Sequence, residues 1–455
     1  VSESGEPVVG YGERVSVHLR GGEPEKRIRP LPVHEAWLPK DHSMYRPRHG
    51  RQQVALVCAV IFFLTPVVSL GLFGPPEPFE NRKLHDFPSL SDGWGFFTGL
   101  GDWATDWLPG RQAAVQAEDG ISRGVFGEPP ALGAKPAAPG VGPVPAQPPA
   151  RPDTGQLQGQ TNSNYPPVVE GRDGWLFLGN DLYAKCNPMI PTATVMDELI
   201  GFRHAVEASG RRLVLIVPPD KSDLFPQFLP DQYPGKDCAP VAARTMWQRL
   251  NNDVGYLDMR GPLLAESQRR GAPIYFKQDT HWQFHGGLTM VRALAEDLRP
   301  GVTRTWRTAA KETFDKQTDL PPLIGRTGSE PAELESLAPD GGADRTRTFF
   351  GQPNTVPIEL HGPAVPGTVP DKVAMIGDSF TGFANMYLAA AFTDMTIMHS
   401  DYVSQDTAAA AAKLADSDVV VLEIAERNLI GGQSPILAPA VVKTLSEQLA
   451  KHPRQ

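Results

Sequence analysis

Positive charge, cysteine and long apolar runs are all scarce in this sequence, and each shortage closes off a class of protein. The formal charge is -9 over 455 residues, with a pI near 5.7. No segment gathers Lys and Arg into the basic face that phosphate neutralisation requires, so nucleic acid is not an expected partner. Three cysteines permit one disulfide at most: Cys58 lies in an apolar run, whereas Cys186 and Cys238 sit in polar, Pro-flanked segments that read as loops. Those two are either a bonded pair in an oxidising location or two loop thiols, because sequence does not show whether their Cα atoms come within bonding range. No internal repeat divides the chain, and one sizeable core is expected, since single cores stop growing near about 250 to 300 residues.

One apolar run is long. Residues 54–73 read VALVCAVIFFLTPVVSLGLF without a charge, enough for a helix to cross the roughly 30 Å core of a bilayer. Arg46, Arg48 and Arg51 crowd its N-terminal side, while Arg82 and Lys83 on the other side are diluted by Glu77, Glu80 and Asp86. Retention of positive charge in the cytoplasm then predicts a cytoplasmic N-terminus and everything beyond about residue 75 outside, on a single-pass anchor in the cell membrane.

Composition divides the chain further. Residues 1–52 lack apolar periodicity and read as a disordered cytoplasmic tail, 53–75 as the transmembrane helix, and 76–127 as a membrane-proximal segment rich in aromatics. Residues 128–166, including ALGAKPAAPGVGPVPAQPPARPDTGQLQGQ, read as a Pro-rich linker. In 167–455, apolar strand candidates at 174–179, 212–219, 254–259, 372–378, 395–400 and 418–424 alternate with helix candidates at 195–209, 242–252, 286–298, 383–392 and 408–415. Near-continuous apolar strands between helices predict an α/β fold of three layers, α/β/α, with a mostly parallel sheet covered on both faces. Reactive groups in such sheets collect at the carboxyl ends of the strands, which marks PPDKS, GDSF and EIAER.

In AMIGDSFTG, residues 374–382, an apolar strand ends in Gly377, Asp378 and Ser379 just before a helix. A serine there is presented at the sheet edge, with backbone amides able to face an oxyanion. It needs a histidine base oriented by a carboxylate, and QDTHWQFHGG supplies both: in an extended segment Asp279 and His281 point to the same side. Ser379, His281 and Asp279 are therefore the candidate nucleophile, base and orienter. His285 with His281 and Asp279 suggests metal ligands only superficially, because Gly286 and Gly287 follow at once and the HExxH glutamate is missing. His285 reads instead as a helix-start or pocket-wall residue, and no metal or cofactor is expected. Gly377 and Asn385 are candidate oxyanion donors, Asn385 equally a solvent-facing amide. Lys221 and Arg427 either hold an anionic sugar or carbonyl or are local ion pairs.

Seven pieces in order resemble the AlgJ and AlgX group of alginate O-acetylation proteins, which are SGNH-hydrolase-like: ENRKL (80–84), DWLPGR (106–111), GRDGWLFLGND (171–181), VPPDKSDLFPQFLP (217–230), DTHW (279–282), GDSF (377–380) and EIAERNL (423–429). The resemblance covers residue 80 onward apart from the Pro-rich insertion. It implies that Asp279, His281 and Ser379 form the family's triad, that acetyl groups pass to an exported polysaccharide acceptor, and that a multipass membrane O-acyltransferase is the acetyl donor. Asp378 stands where the family often has Thr, and no C-terminal carbohydrate-binding module is evident, so the anchored AlgJ-like arrangement is the nearer analogy. The same residues would serve an acetylesterase, in which water takes the acyl group, and an inert polysaccharide-binding scaffold on this fold is the third reading.

Overall fold

The computed structural model describes residues 165–347 and 356–454, with short pieces and single residues between 54 and 117. The chain divides into two units, Val1–Gly74 and Pro75–Gln455. In the first, residues 54–61 are helical, and among the described residues no helix is long and apolar enough to cross a membrane. The expected tail (1–52), much of the expected span (53–75) and nearly all of the expected linker (128–166) lie outside the described residues. Of the aromatics that follow the apolar run, Trp103 stacks on Trp107 with ring centroids 6.0 Å apart and meets Phe87 edge-on at 5.0 Å.

The strands of the second unit start with an antiparallel pair, β1 (Val168–Glu170) and β2 (Leu176–Leu178). Then come α1 (Gly179–Cys186), α2 (Thr192–Ala208), β3 (Arg212–Ile216), α3 (Lys221–Leu224), α4 (Ala239–Arg249), α5 (Arg260–Arg270) and α6 (Phe284–Leu298). An antiparallel ribbon, β4 (Arg307–Gln317) and β5 (Ser329–Ala338), leads to β6 (Ile358–His361), β7 (Val369–Gly377), α7 (Asn385–Ala391) and β8 (Phe392–His399). The described chain closes with α8 (Ser400–Gln405), α9 (Thr407–Ala415), β9 (Val419–Glu423), α10 (Glu426–Ile430) and α11 (Pro439–Lys451).

The central sheet runs β3-β9-β7-β8-β6. The first four strands pair in parallel and β6 runs antiparallel against β8, so the sheet is mixed. The period of two along each strand explains why both faces are covered. Val373 and Met375 of β7 and Val419 and Val421 of β9 join α6 and α7 in one apolar core, while Ala374, Ile376, Val420 and Leu422 join α2, α4, α9 and α11 in the other. All five residues of β9 are buried, each Val or Leu contributing roughly 1.5–3 kcal/mol. This gives the expected three layers.

Two expectations need revision. The run 254–259 makes a single bridge, Leu257 to Ile216, instead of a strand. A π-turn over Leu250–Val254 ends at Gly255 with φ +76°, leaving too little chain to pair before α5 begins. The antiparallel edge strand was not anticipated: Ile358–His361 is four residues long with one of them buried, so it has no apolar run to mark it.

Candidate active site

At the carboxyl end of β7 the backbone turns into a short 3-10 helix, Ser379–Phe383, capped by the Asp378 side chain, which accepts from the Phe380 N–H at 3.0 Å. The other Asp378 oxygen accepts from the Ala425 N–H at 2.8 Å and the Asn428 amide at 3.3 Å. Glu423, the last residue of β9, accepts from the Asp378 N–H at 2.9 Å and from the Thr381 hydroxyl. The serine turn is thereby tied to the end of the neighbouring strand. A Cβ at Gly377 would meet Thr381 Oγ1 at 2.1 Å, and Gly377 pairs with His399 in the ladder. The close approach of the Thr381 side chain is why this position is a glycine. Ser379 is exposed, and as the first residue of its helix its N–H has no intrahelical acceptor.

The aspartate and histidine come from a reversal closed by the Tyr275–Trp282 antiparallel bridge, not from an extended segment. They meet because of that turn: Asp279 Oδ1 accepts from the His281 N–H at 3.1 Å and lies 2.8 Å from the ring Nδ1, an Asx-type closure. The other ring nitrogen, Nε2, is 2.7 Å from Ser379 Oγ. Trp282 donates its indole N–H to the Phe380 carbonyl at 3.2 Å, so the two sequence blocks are fastened directly. Phe383 stacks on the His281 ring at 5.2 Å and Phe380 meets it edge-on at 4.9 Å. The paired glycines at the start of α6 allow this packing, since a Cβ at Gly286 would meet Trp282 at 2.6 Å and one at Gly287 the Phe383 carbonyl at 2.2 Å.

The reversal is held on both sides. The Lys221 ammonium donates to the carbonyls of Phe276 (3.2 Å), Lys277 (3.0 Å) and Asp279 (2.7 Å). Glu330 accepts from the Lys277 and Gln278 N–H groups, and Asp319 from that of Thr280 at 2.8 Å. Lys221 is 1% exposed and Arg427 is 7% exposed, and of the two roles open to them the structure shows local polar contacts. Arg427 reaches Asp220 at 3.3 Å and Asp181 at 3.5 Å and lies over the Phe380 ring at 5.4 Å. Asn385 is also buried and its Oδ1 has no hydrogen-bond partner, which excludes the solvent-facing alternative.

Burial pushes the Asp279 carboxyl up, but the hydrogen bond and charge of His281, followed by Lys316, outweigh it and hold Asp279 well below the usual carboxylate range. Asp319 moves the other way, raised by burial and then by the charge of Asp279. Burial lowers Lys221 to about 8. Behind the site, Lys185 bridges Asp220, Asp223 and Glu426 at 3.0, 3.1 and 3.0 Å. Four acids there face the cations Lys185 and Arg427, and burial raises Glu426 strongly and, with the charge of Asp220, Asp181 to about 7.

Donor atoms of Asp279, His281 and Asp319 lie within 4.8 Å of one another. Both His281 nitrogens and Asp279 Oδ2 already have protein partners, so a cation there would have to displace a triad contact or Lys316. His285 stays out of this group: it is buried at the start of α6 with Nε2 3.3 Å from Glu335 Oε1. Cys186 and Cys238 are bonded, linking the end of α1 to the N-cap of α4. Lys316 and Asp319 were missed by sequence reasoning, because they sit on and just beyond a polar strand.

Residues 168–394 match the family model described as SGNH hydrolase-like domain, acetyltransferase AlgX. A probable alginate O-acetylase AlgJ from Pseudomonas syringae pv. tomato is 28% identical over 190 residues, covering 39% of this chain and 48% of that protein. The Pseudomonas putida protein of the same description is 27% identical over 233 residues, 48% and 56% of the two chains. The chain thus spans about half the length of the curated relatives it matches. Among solved structures, the O-acetyltransferase domain of Pseudomonas putida AlgJ aligns with a TM-score of 0.43 at 20% identity, over 62% of this chain and 98% of that one. Bacillus cereus PatB1 aligns with a TM-score of 0.38 at 12% identity, over 58% and 96%. By its motifs and by the family model, this chain carries the SGNH hydrolase-like domain of the AlgJ/AlgX-like group of alginate O-acetylation proteins.

Proposed function

We propose that the chain is a membrane-anchored O-acetyltransferase that passes acetyl groups to an extracytoplasmic polysaccharide through an acyl-enzyme on Ser379. The observation that carries this reading is the unbroken path from Asp279 Oδ1 to His281 Nδ1 at 2.8 Å and from Nε2 to Ser379 Oγ at 2.7 Å, ending on an exposed hydroxyl. With Asp279 ionised, Nδ1 carries the hydrogen and Nε2 is the base. His281 takes the Ser379 proton as Oγ bonds to the acetyl carbonyl, and the oxyanion faces the Ser379 N–H. The imidazolium returns the proton to the departing group, leaving an ester on Ser379. A sugar hydroxyl then gives its proton to His281 and attacks that ester, and the proton goes back to Oγ as the acetylated sugar leaves. The names of the AlgJ relatives support acetyl transfer in polysaccharide modification.

The apolar run 54–73 with Arg46, Arg48 and Arg51 before it supports an anchor with the domain outside. The Cys186–Cys238 bond agrees with an oxidising compartment. In this reading the acetyl donor is a multipass membrane O-acyltransferase in the same bilayer. The test is turnover of a chromogenic acetate by the full chain, with and without oligosaccharides, beside Ser379→Ala. Acceptor-dependent acetyl transfer lost in the variant is the expected result. Acetate release alone, indifferent to any acceptor, would make the protein an esterase, and no Ser379-dependent turnover in folded protein would make it a scaffold.

A further inference from the structure

The ribbon β4–β5 contributes nothing to the central sheet, yet its base closes on the Asp279–His281 reversal. Lys316, the penultimate residue of β4, places its ammonium on Asp279 Oδ2, the oxygen turned away from the imidazole. The same ammonium lies 5.3 Å from the rings of both Phe276 and Phe383, and Phe383 is the ring stacked on His281. Just past β4, Asp319 accepts from the Thr280 N–H at 2.8 Å, and Leu320 donates its N–H to the Gln278 carbonyl at 3.2 Å. From the start of β5, Glu330 takes the N–H groups of Lys277 and Gln278.

The far part of the ribbon is fixed as well. Arg270 of α5 reaches Glu333 at 2.6 Å and His285 of α6 reaches Glu335 at 3.3 Å, while the Glu335 N–H donates to the Tyr387 hydroxyl of α7 at 3.3 Å. An element anchored on three helices and gripping a loop through five polar contacts transmits position, not only charge. We propose that the β4–β5 ribbon is a positioning arm for the Asp279–His281 loop, and that Lys316 is the residue through which it sets the carboxylate against the imidazole. This deepens the acyl-enzyme reading and rests on it for the roles of Asp279 and His281.

The charged groups facing the pair are Asp279 and Asp319, with Lys316 from β4 and Lys221 from α3. Removing the Lys316 cation frees Asp279 to swing off the ring. The experiment follows labelling of Ser379 in the full chain by an alkyl fluorophosphonate, a probe that asks only whether the serine is activated, with Ser379→Ala as the blank. Lys316→Met should slow labelling about 10- to 100-fold. Lys316→Arg should recover most of the rate, and with a chromogenic acetate the loss should fall on kcat with KM nearly unchanged. Labelling of Lys316→Met within about threefold of the parent would overturn the proposal, as would an Arg variant as slow as the Met variant. Intact labelling without any acetyl transfer would sink the transferase reading and leave the positioning arm standing.

Discussion

Replacing Asp279 by Asn changes hardly any volume and removes the one acceptor that fixes the histidine. In the native protein Oδ1 accepts from the His281 N–H at 3.1 Å and from Nδ1 at 2.8 Å, and Oδ2 takes the Lys316 ammonium. An amide serves only one side. With its oxygen on the ring, the NH2 group faces an ammonium; with its nitrogen on the ring, it donates to Nδ1 and forces the hydrogen onto Nε2, which then has no lone pair for the Ser379 proton. In serine proteases this lesion costs about 10^4 in kcat, roughly 5 kcal/mol of transition-state stabilisation. Here a second carboxylate waits, because Asp319 Oδ2 lies 3.5 Å from the same Nδ1 and the charge of Asp279 is one of the causes that raise its carboxyl. Once that charge is gone, Asp319 ionises more readily and takes over in part. Asp279→Asn should therefore lose about 10^2- to 10^3-fold in kcat for acetate release at neutral pH, Asp319→Asn less than about tenfold, and the double variant about 10^4-fold. Stopped-time assays on a chromogenic acetate measure all three. Asp279→Asn within about threefold of the parent, or Asp319→Asn as the more damaging single change, would refute the assignment of Asp279 as orienter.

Two further outcomes are expected. Burial and Asp220 raise Asp181 from 3.8 to about 7, so the folded protein holds a proton there that the unfolded chain releases; the stability Asp181 contributes is lost as pH rises from about 4 to about 7. Asp181→Asn should accordingly gain Tm over the parent progressively across that window and by a constant amount above it, and a gain confined to acid pH would contradict the direction of the shift. Gly287→Ala places a methyl 2.2 Å from the Phe383 carbonyl and 3.0 Å from the Ala384 N, driving the serine helix off the histidine. Acetate turnover should fall at least about tenfold, more steeply than the melting temperature suggests, and a fully active alanine variant would show that the α6 packing is not needed for alignment.

Strands β3, β7, β8 and β9 could be read from the sequence because the parts of them that are buried on both faces, 213–216, 373–377, 395–398 and 419–422, are nearly continuous apolar runs, and the GDSF and DTHW blocks stood out beside them. The pairing of Asp279 with His281 was also readable, though the structure achieves it by a reversal rather than an extended segment. The ribbon was not. Residues 307–317 read RTAAKETFDKQ and are exposed along almost their whole length, so neither alternation nor an apolar run announces a strand that exists only through its pairing with β5. Lys316 and Asp319 were hidden with it. Lys221 and Arg427 were found but their role was left open, because a charge after an apolar strand looks the same in sequence whether it faces a substrate or, as here, backbone carbonyls and buried acids. Only the fold brings α1, with Asp181 and Lys185, against α10 to form that charged interior.

In the proposed mechanism Ser379 carries the acetyl group between donor and sugar. Its most direct test is rapid quenching of the full chain with a chromogenic acetate, followed by peptide mass spectrometry of the segment containing Ser379. One acetyl group should build up on Ser379 without acceptor, disappear when oligosaccharide is added and reappear on the sugar, with none of this in Ser379→Ala. Acetylated sugar formed at the parental rate by Ser379→Ala, or an acetyl group found on another residue while Ser379 stays free, would contradict it.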